Sequence, residues 1–562
     1  MYLGVRPSTP SAPVVLTSGA ISVRRPVLPI QPVVNTVNPK PLSDPFSAPV
    51  SPSESVGFTE FLDTYRRKLK DLFHSRTDID KLSLDRSLPP FVMQEIHSCD
   101  PLSAYVPKDF GGRGGHIHEG LAVLAASGYE SLALSLTFGI NWALFLQPVT
   151  KYAQDPIKAP IFQRVLQDKN MGGLMITEPD YGTDALNMRT SYDEKDDHYH
   201  LRGLKHWGGL TGLADFWLLT ARERGKDNNL KRDIDFFVCD VSAPHQHIEV
   251  EEIFNNLGLY HIPYGRNRID VRIPKIQRLQ SPTTGVKMML DVLHRSRLQF
   301  AGLGMGFLQR MLDEGLAHCQ KRLVGGRSLF TYDQVQERLA RLQASFTVCS
   351  AMCSFSSGRA SLDHDLSRSG LAANATKSVV TDLMQDASQS LLQLVGAKGY
   401  RLDHIAGRAT VDSRPFQIFE GSNDILYQQI SEAVLKLMRQ SKETNLLRFL
   451  SGFDLTSRAS EYLKERLDFG VDLKIPQRRL VNLGKALGRI LTMEMVLQLG
   501  DRGFRSDLIT NAISMFRHEV TGLLGTYRAE NRILAVEDYE RDGSWLAFVA
   551  PAKPHPTCAE AP

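Results

Sequence analysis

The chain of 562 residues is 42% hydrophobic and 23% charged, and its 66 Lys and Arg nearly balance 62 Asp and Glu. That length holds two to four domains with a sizeable core, and the even charge offers a polyanion no bulk attraction, so no nucleic-acid partner is expected. No run approaches 18 uninterrupted apolar residues, which argues against a membrane-spanning helix.

The first 53 residues carry eleven prolines and one acid, Asp44. Such a stretch can neither hold a helix nor bury enough apolar surface, so residues 1–54 are predicted to be disordered. The few acids and Arg6, Arg24 and Arg25 also suit an organelle transit peptide, although the prolines spoil its helix. From Phe58, the recurrence of Phe58, Leu62, Tyr65, Leu69, Leu72 and Phe73 at helical spacing opens an N-terminal helical domain over residues 55–170. Strand-like runs follow at His198–Leu201, Phe216–Ala221, Asp235–Val241 and Arg268–Ile273, separated by Gly, Asn and Asp turns, and predict a β domain over 171–285. Long helical patterns return over 286–440 and continue over 441–562, ending in a flexible tail. The fold class is therefore α+β and mainly α, with a β-barrel or sandwich between a helical N-terminal domain and a helical bundle.

The segment 441–562 holds 17 Lys and Arg against 16 Asp and Glu, so it has no basic bias of its own. Its apolar stripe of Leu480, Leu483, Leu487, Ile490 and Leu491, with Arg478, Arg479, Lys485 and Arg489 nearby, predicts packing on its own domain, with peripheral membrane contact as the rival reading. Six cysteines, Cys99, Cys239, Cys319, Cys349, Cys353 and Cys558, are too scattered for a disulfide framework and point to a reducing compartment. The cytoplasm is the expected location, with the mitochondrial matrix as alternative. Cys349 and Cys353 share a helical face, but no third ligand joins them, so no metal site is predicted.

Residues 414–425 are the most informative. Glu420 stands between Ile418-Phe419 and Gly421, where apolar neighbours raise a carboxyl pKa toward working pH and a glycine lets the backbone turn close to a ligand. The same residues also read as a helix start, since Ser422, Asn423 and Asp424 are capping types ahead of Ile425, Leu426 and Ile430.

Five ordered segments between about residues 58 and 440 accompany this run. They are Tyr105-Val106-Pro107-Lys108-Asp109-Phe110-Gly111-Gly112; Met175-Ile176-Thr177-Glu178-Pro179-Asp180-Tyr181-Gly182-Thr183-Asp184; Leu201-Arg202-Gly203-Leu204-Lys205-His206-Trp207; Ser296-Arg297 with Arg322; and Gln393-Leu394-Val395-Gly396-Ala397-Lys398-Gly399-Tyr400. With Phe419-Glu420-Gly421-Ser422, they resemble the acyl-CoA dehydrogenase family, and the segment after residue 440 is similar to that of its very-long-chain members.

The resemblance implies an FAD-dependent enzyme that removes hydrogen from the α and β carbons of an acyl thioester. Glu420 would take the α proton, and its own N–H would hold the thioester oxygen with a ribityl hydroxyl. Cofactor contacts would come from Ile176, Thr177, Gly182, Thr183, Trp207, Gly209, Arg322, Gln334, Gln393, Gly396, Ala397 and Ser422. Thr183, Ser296, Arg297, Phe419 and Gly421 would line the substrate. The expected partners are an acyl-CoA or acyl-carrier-protein substrate, an electron-transfer flavoprotein as acceptor, and further copies of the chain in a homodimer or homotetramer.

The sequence departs from the family pattern in several places. Gly208-Gly209 follows Trp207 where Ile or Phe and then Thr or Ser are usual; Gly325-Gly326 replaces Phe-Gly; Ala397 stands for a Gly; Gln334 fits only with a one-residue shift; and His294 stands where many members have Asp. Isovaleryl-type members carry the base directly before the Arg, and here that residue is Ser296, so the resemblance leaves Glu420. A carrier-protein acyl dehydrogenase, a flavin oxidase, and a DNA-binding alkylation-response flavoprotein are the alternative functions. Neither Gly-x-Gly-x-x-Gly after a strand nor a Walker pattern is found, which argues against a dinucleotide fold of those types.

Overall fold

The computed structural model describes residues 52–472, 474–529, 534–541, 545 and 548–549. The proline-rich stretch up to residue 51 and most of the expected tail lie outside the described residues. Helix α1, Pro52–Asp71, buries Leu62, Tyr65 and Leu69 at the predicted helical spacing, and Tyr65 Oη meets Ser127 Oγ at 2.8 Å on α2, Ile117–Glu130. The stretch Leu132–Tyr152 is apolar enough by composition to cross a membrane, yet here it is buried and forms the wall between the N-terminal helices and the β domain. Interrupting Gly and Asn residues kept it from standing out as an unbroken apolar run.

Seven strands form one sheet: β1 Gly172–Met175, β2 Ser191–Glu194, β3 His198–Gly209, β4 Phe216–Glu223, β5 Asp235–Asp240, β6 Glu249–Ile253 and β7 Tyr264–Pro274. The order is β1-β4-β2-β3-β7-β6, with β5 on β4. Along β7, Asn267, Ile269, Val271 and Ile273 are buried while Arg268, Asp270 and Arg272 face water, the period of two expected of a one-sided sheet. Strand β4 is buried on both faces and pairs parallel with β1 and β2 and antiparallel with β5. The edge strand β6 carries Glu249, Glu251 and Glu252 against Arg266 and Arg268 of β7, a charged edge that discourages pairing with other chains. Three strands, β1, β2 and β6, went unpredicted, because their glycines and acids lack the apolar alternation that marks a strand.

The bundle is built on α3, Gly285–Lys321, a helix of 37 residues, with α4 Asp333–Arg359, α5 Gly370–Val395 and α6 Asn423–Ser441. Helices α7 Gln477–Asp501 and α8 Ser506–Arg528 then cover it, packing on α4, α5 and α6. The stripe read as a possible membrane face is spent inside the protein: Leu483 and Ile490 are 0% exposed. Burying such side chains contributes about 2 kcal/mol each, which is what holds the extension to the bundle.

Candidate active site

Glu420 is carried by a turn that two buried cations hold open. After the 3-10 turn Arg414–Gln417, Glu420 takes φ +54° and Gly421 φ +91°, reversing the chain before α6 begins at Asn423. A left-handed conformation costs a non-glycine residue about 1–2 kcal/mol, so something must hold Glu420 there. Arg297 donates from Nε and Nη2 to the Glu420 carbonyl at 3.1 and 2.8 Å, and Lys377 Nζ donates to the Gly421 carbonyl at 2.9 Å and to Asn423 Oδ1 at 3.0 Å. Arg297 also donates to Asn374 Oδ1 at 2.7 Å, which fixes the guanidinium on α3 relative to α5.

The carboxylate itself is anchored on one side. Ser296 Oγ donates to Glu420 Oε1 at 2.9 Å, while Oε2 is buried with no hydrogen-bond partner among the described residues. Burial pushes the Glu420 pKa above the ordinary carboxylate range, against the pull of Arg297, Ser296 and Lys377. Burial pushes Lys377 down to about 7, opposed by Glu420. One oxygen is thus oriented, and the other is free to take a proton. The two places where a base would stand, 296 and 420, meet at one point. The helix-cap reading of this segment is only partly realised: Ser422 stands at the N-cap of α6 but makes no capping bond with its side chain.

His294 stands one helical turn before Arg297 on α3. Its Nδ1 is 2.8 Å from the Leu366 carbonyl, and burial lowers its pKa to about 4, so the ring is neutral and serves packing. Phe419 packs its ring 5.0 Å from Phe416 and 6.0 Å from Phe300, forming the apolar wall behind the carboxylate.

The β domain brings a second group together. Lys205, fully buried, donates to Glu178 Oε1 at 3.0 Å, to the Ile176 carbonyl at 3.0 Å and to Thr220 Oγ1 at 3.2 Å. Glu178 in turn accepts from the Arg189 and Thr190 amides at 2.5 and 2.9 Å. This pair staples the loop that carries Gly182 and Thr183, both exposed, to the strand end that carries Ile176 and Thr177. The His206 amide donates to the Thr177 carbonyl at 2.8 Å, setting Trp207 beside them. Register slips between His206 and Gly208, and Trp207 sits in the bulge at φ +57°, which turns its ring outward to 53% exposure. That ring lies 4.6 Å from Phe254 and 6.3 Å from Tyr264. Burial, with the charge of Glu420 adding to it, raises the Tyr264 pKa.

At Gly209 a Cβ would come 2.7 Å from Ile140 Cδ1. The space of a side chain at that position is filled from the Leu132–Asn141 helix, so the departure from Thr or Ser is a packing exchange and not a vacancy.

A third group lies at the far end of α3. Arg322 caps that helix, 25 residues after Arg297, which at 1.5 Å per residue is about 37 Å along the axis. A cavity of about 370 Å³ there is lined by Lys321, Arg322, His318, Lys398 and His404, with Glu314 the one acid. Gln393, in the last turn of α5, and Gly396 and Ala397, on the following turn that brings Lys398 to this cavity, are exposed, and Gly396, at φ +73°, has open space where a Cβ would lie. Gln334 is exposed in the first turn of α4. Arg322 and the 393–398 turn are therefore brought together, and both stand away from Glu420.

Sequence reasoning missed Lys377, Asn374, the Glu178–Lys205 pair as a staple, and Tyr264. A lysine on the apolar face of α5, among Ala373, Val380 and Met384, was a readable signal for the first. Tyr264 gave none.

Residues 173–271 match the family model for the acyl-CoA dehydrogenase middle domain, and residues 283–435 the one for the acyl-CoA dehydrogenase C-terminal domain. The chain belongs to the acyl-CoA dehydrogenase family. Within that family it is 24% identical over 330 residues to glutaryl-CoA dehydrogenase of Desulfococcus multivorans, covering 57% of this chain and 82% of that one. It is also 24% identical over 431 residues to the mitochondrial very long-chain specific acyl-CoA dehydrogenase of Rattus norvegicus, covering 75% of this chain and 65% of that one. A solved acyl-CoA dehydrogenase from Bacillus anthracis, complexed with FAD, superposes with a TM-score of 0.68 at 16% identity, covering 86% of this chain and 88% of that one. With 86% of this chain covered, that likeness in fold extends past the core into the C-terminal helices.

Proposed function

We propose that the protein dehydrogenates an acyl thioester between its α and β carbons, with FAD as cofactor and Glu420 as the base. The observation that carries this reading is the Glu420 carboxyl, fixed at Oε1 by Ser296 and without a partner at buried Oε2. A carboxylate of raised pKa, held against apolar walls, suits removal of a weakly acidic C–H proton.

The residues fit FAD on two observations. Trp207 and its neighbours Ile176 and Thr177 offer an aromatic and apolar face next to Tyr264 and the base turn. The cation-lined cavity of Arg322 and Lys398, with open Gly396 beside it, suits a pyrophosphate. When bound, FAD supplies the acceptor for the β hydrogen as hydride. The chain does the rest: Glu420 accepts the α proton, Phe419 excludes water behind it, and Arg297 and Lys377 keep the turn in register by holding its carbonyls. The Glu420 N–H is proposed to bind the thioester oxygen.

The distance along α3 between the base and the cavity favours an assembly in which Arg322 and Gln393 serve the cofactor of a second copy. The proposed electron acceptor is a separate flavoprotein.

A second reading keeps the chemistry and changes the carrier or acceptor, to an acyl-carrier-protein thioester or to oxygen. Ile140 standing in the space of the usual hydroxyl favours it, because it leaves this side of the site apolar. Anaerobic titration with acyl-CoAs of graded length, followed by flavin absorbance, tests the first reading; the same acyl groups on a carrier protein, with and without oxygen, test the second. A protein that takes up no FAD would end both.

A further inference from the structure

The base turn is tied to the C-terminal extension through one carboxylate, Asp382 of α5. Its Oδ1 accepts from Gln417 Nε2 at 2.9 Å and from Asn423 Nδ2 at 2.8 Å. Those two residues lie three before and three after Glu420, so a single oxygen gathers both ends of the turn. Its Oδ2 accepts from Tyr427 Oη at 2.6 Å and from Arg489 Nη2 at 3.0 Å. Arg489 belongs to α7, is nearly buried, and donates also to Tyr427 Oη and to Glu519 Oε2 of α8 at 3.3 Å. Asp382 stays ionised, its pKa lowered by Arg489 and by its hydrogen bonds against the cost of burial.

Backbone packing makes this link rigid. A Cβ at Gly484 would fall 1.9 Å from the Tyr427 carbonyl, so α7 lies directly on the backbone of α6 and cannot shift without breaking that contact. Ser431 Oγ donates to the Leu480 carbonyl at 2.6 Å just beyond.

We propose that Arg489 of the extension is a positioning residue for Glu420: by fixing Asp382 it holds both ends of the left-handed turn that aims the carboxylate. The physical reason is the strain at Glu420. Arg297 and Lys377 grip the carbonyls in the middle of the turn, and without fixed ends the turn can rotate as a unit about those two contacts. A buried carboxylate such as Asp382 also needs a countercharge to stay ionised, and Arg489 is the cation in contact with it. The extension thereby completes the site from behind, and this inference rests on the reading of Glu420 as the base.

The test compares Arg489→Gln with Arg341→Gln. Arg341 of α4 bonds the same Glu519, at 2.7 Å to Oε1, but does not touch Asp382. Amide hydrogen exchange over residues 414–424 should rise about tenfold in Arg489→Gln, with the rate of flavin reduction down about tenfold and KM within about twofold; Arg341→Gln should change none of these. Arg489→Lys should recover part of the protection. Should Arg489→Gln fail to fold, Asp382→Asn should loosen the same segment. Unchanged exchange over 414–424 in Arg489→Gln or Asp382→Asn overturns the proposal, as does equal loosening in Arg341→Gln. Exchange needs no substrate, so the two readings separate: a protein that never reduces with any acyl thioester ends the base assignment, whereas the exchange result decides the link to the extension.

Discussion

Two clusters of cations, each begun on the long helix α3 and completed from α5 or the turn after it, are used in opposite ways. In the N-terminal half of α3, Arg297, together with Lys377 of the facing α5, is buried, and the hydrogen bonds of both go to carbonyls of the protein itself. At its C-terminal end, Lys321, Arg322 and Lys398 are exposed around an open cavity. A buried cation must be satisfied internally, so it fixes geometry; an exposed one keeps its bonds for a ligand. Internal bonding is thus concentrated at the Glu420 turn, and the far end keeps its charge open to solution.

The contrast can be broken most sharply at Glu420. Glu420→Gln should slow anaerobic flavin reduction by acyl-CoA about a thousandfold while FAD stays bound, and a rate near that of the wild type would remove Glu420 from the chemistry.

The next effect is on stability. Lys377→Met strips the donor from the Gly421 carbonyl and from Asn423 Oδ1 and should cost about 2 kcal/mol in chemical denaturation. Lys321→Met, its exposed counterpart, should stay within about 0.5 kcal/mol. Equal losses would mean that burial does not separate the two clusters.

At the cavity the readout is affinity. Arg322→Gln should weaken ADP binding about tenfold at low salt and less at high salt, with unchanged stability, as measured by calorimetry. Salt-independent loss would argue for a structural role.

The smallest effect is in pH. Because burial raises the Glu420 pKa, the proton is held more tightly than in the ordinary carboxylate range, and activity should fall as pH drops through that raised value. The Ser296 hydroxyl lowers it, so Ser296→Ala should move this acid limb to higher pH by several tenths of a unit. A shift the other way would mean that Ser296 does not stabilise the ionised form.

The limits of sequence reading follow a physical line. The helical spacing of Leu62, Tyr65 and Leu69 and the alternation in β7 were legible because each is a repeat within one element. Trp207 and Gly209 were legible as site positions only through family likeness, and the likeness could not say what replaced the missing hydroxyl; Ile140, from a helix about 70 residues earlier, does so by packing. Lys377 and Tyr264 stayed hidden because nothing local distinguishes a lysine or tyrosine packed near the Glu420 turn from one that faces water.

Periodicity and turn chemistry act between near neighbours, so the chain alone fixed its order of helices, sheet and helices, and the candidacy of Glu420. How that acid is held and buried was decided by contacts across the bundle. Ser296 reaches it from 124 residues away, Arg297 from 123, and Arg489 is linked to it through Asp382. Burial and charge pairing depend on which elements pack together, and only the folded chain brings those groups into one place.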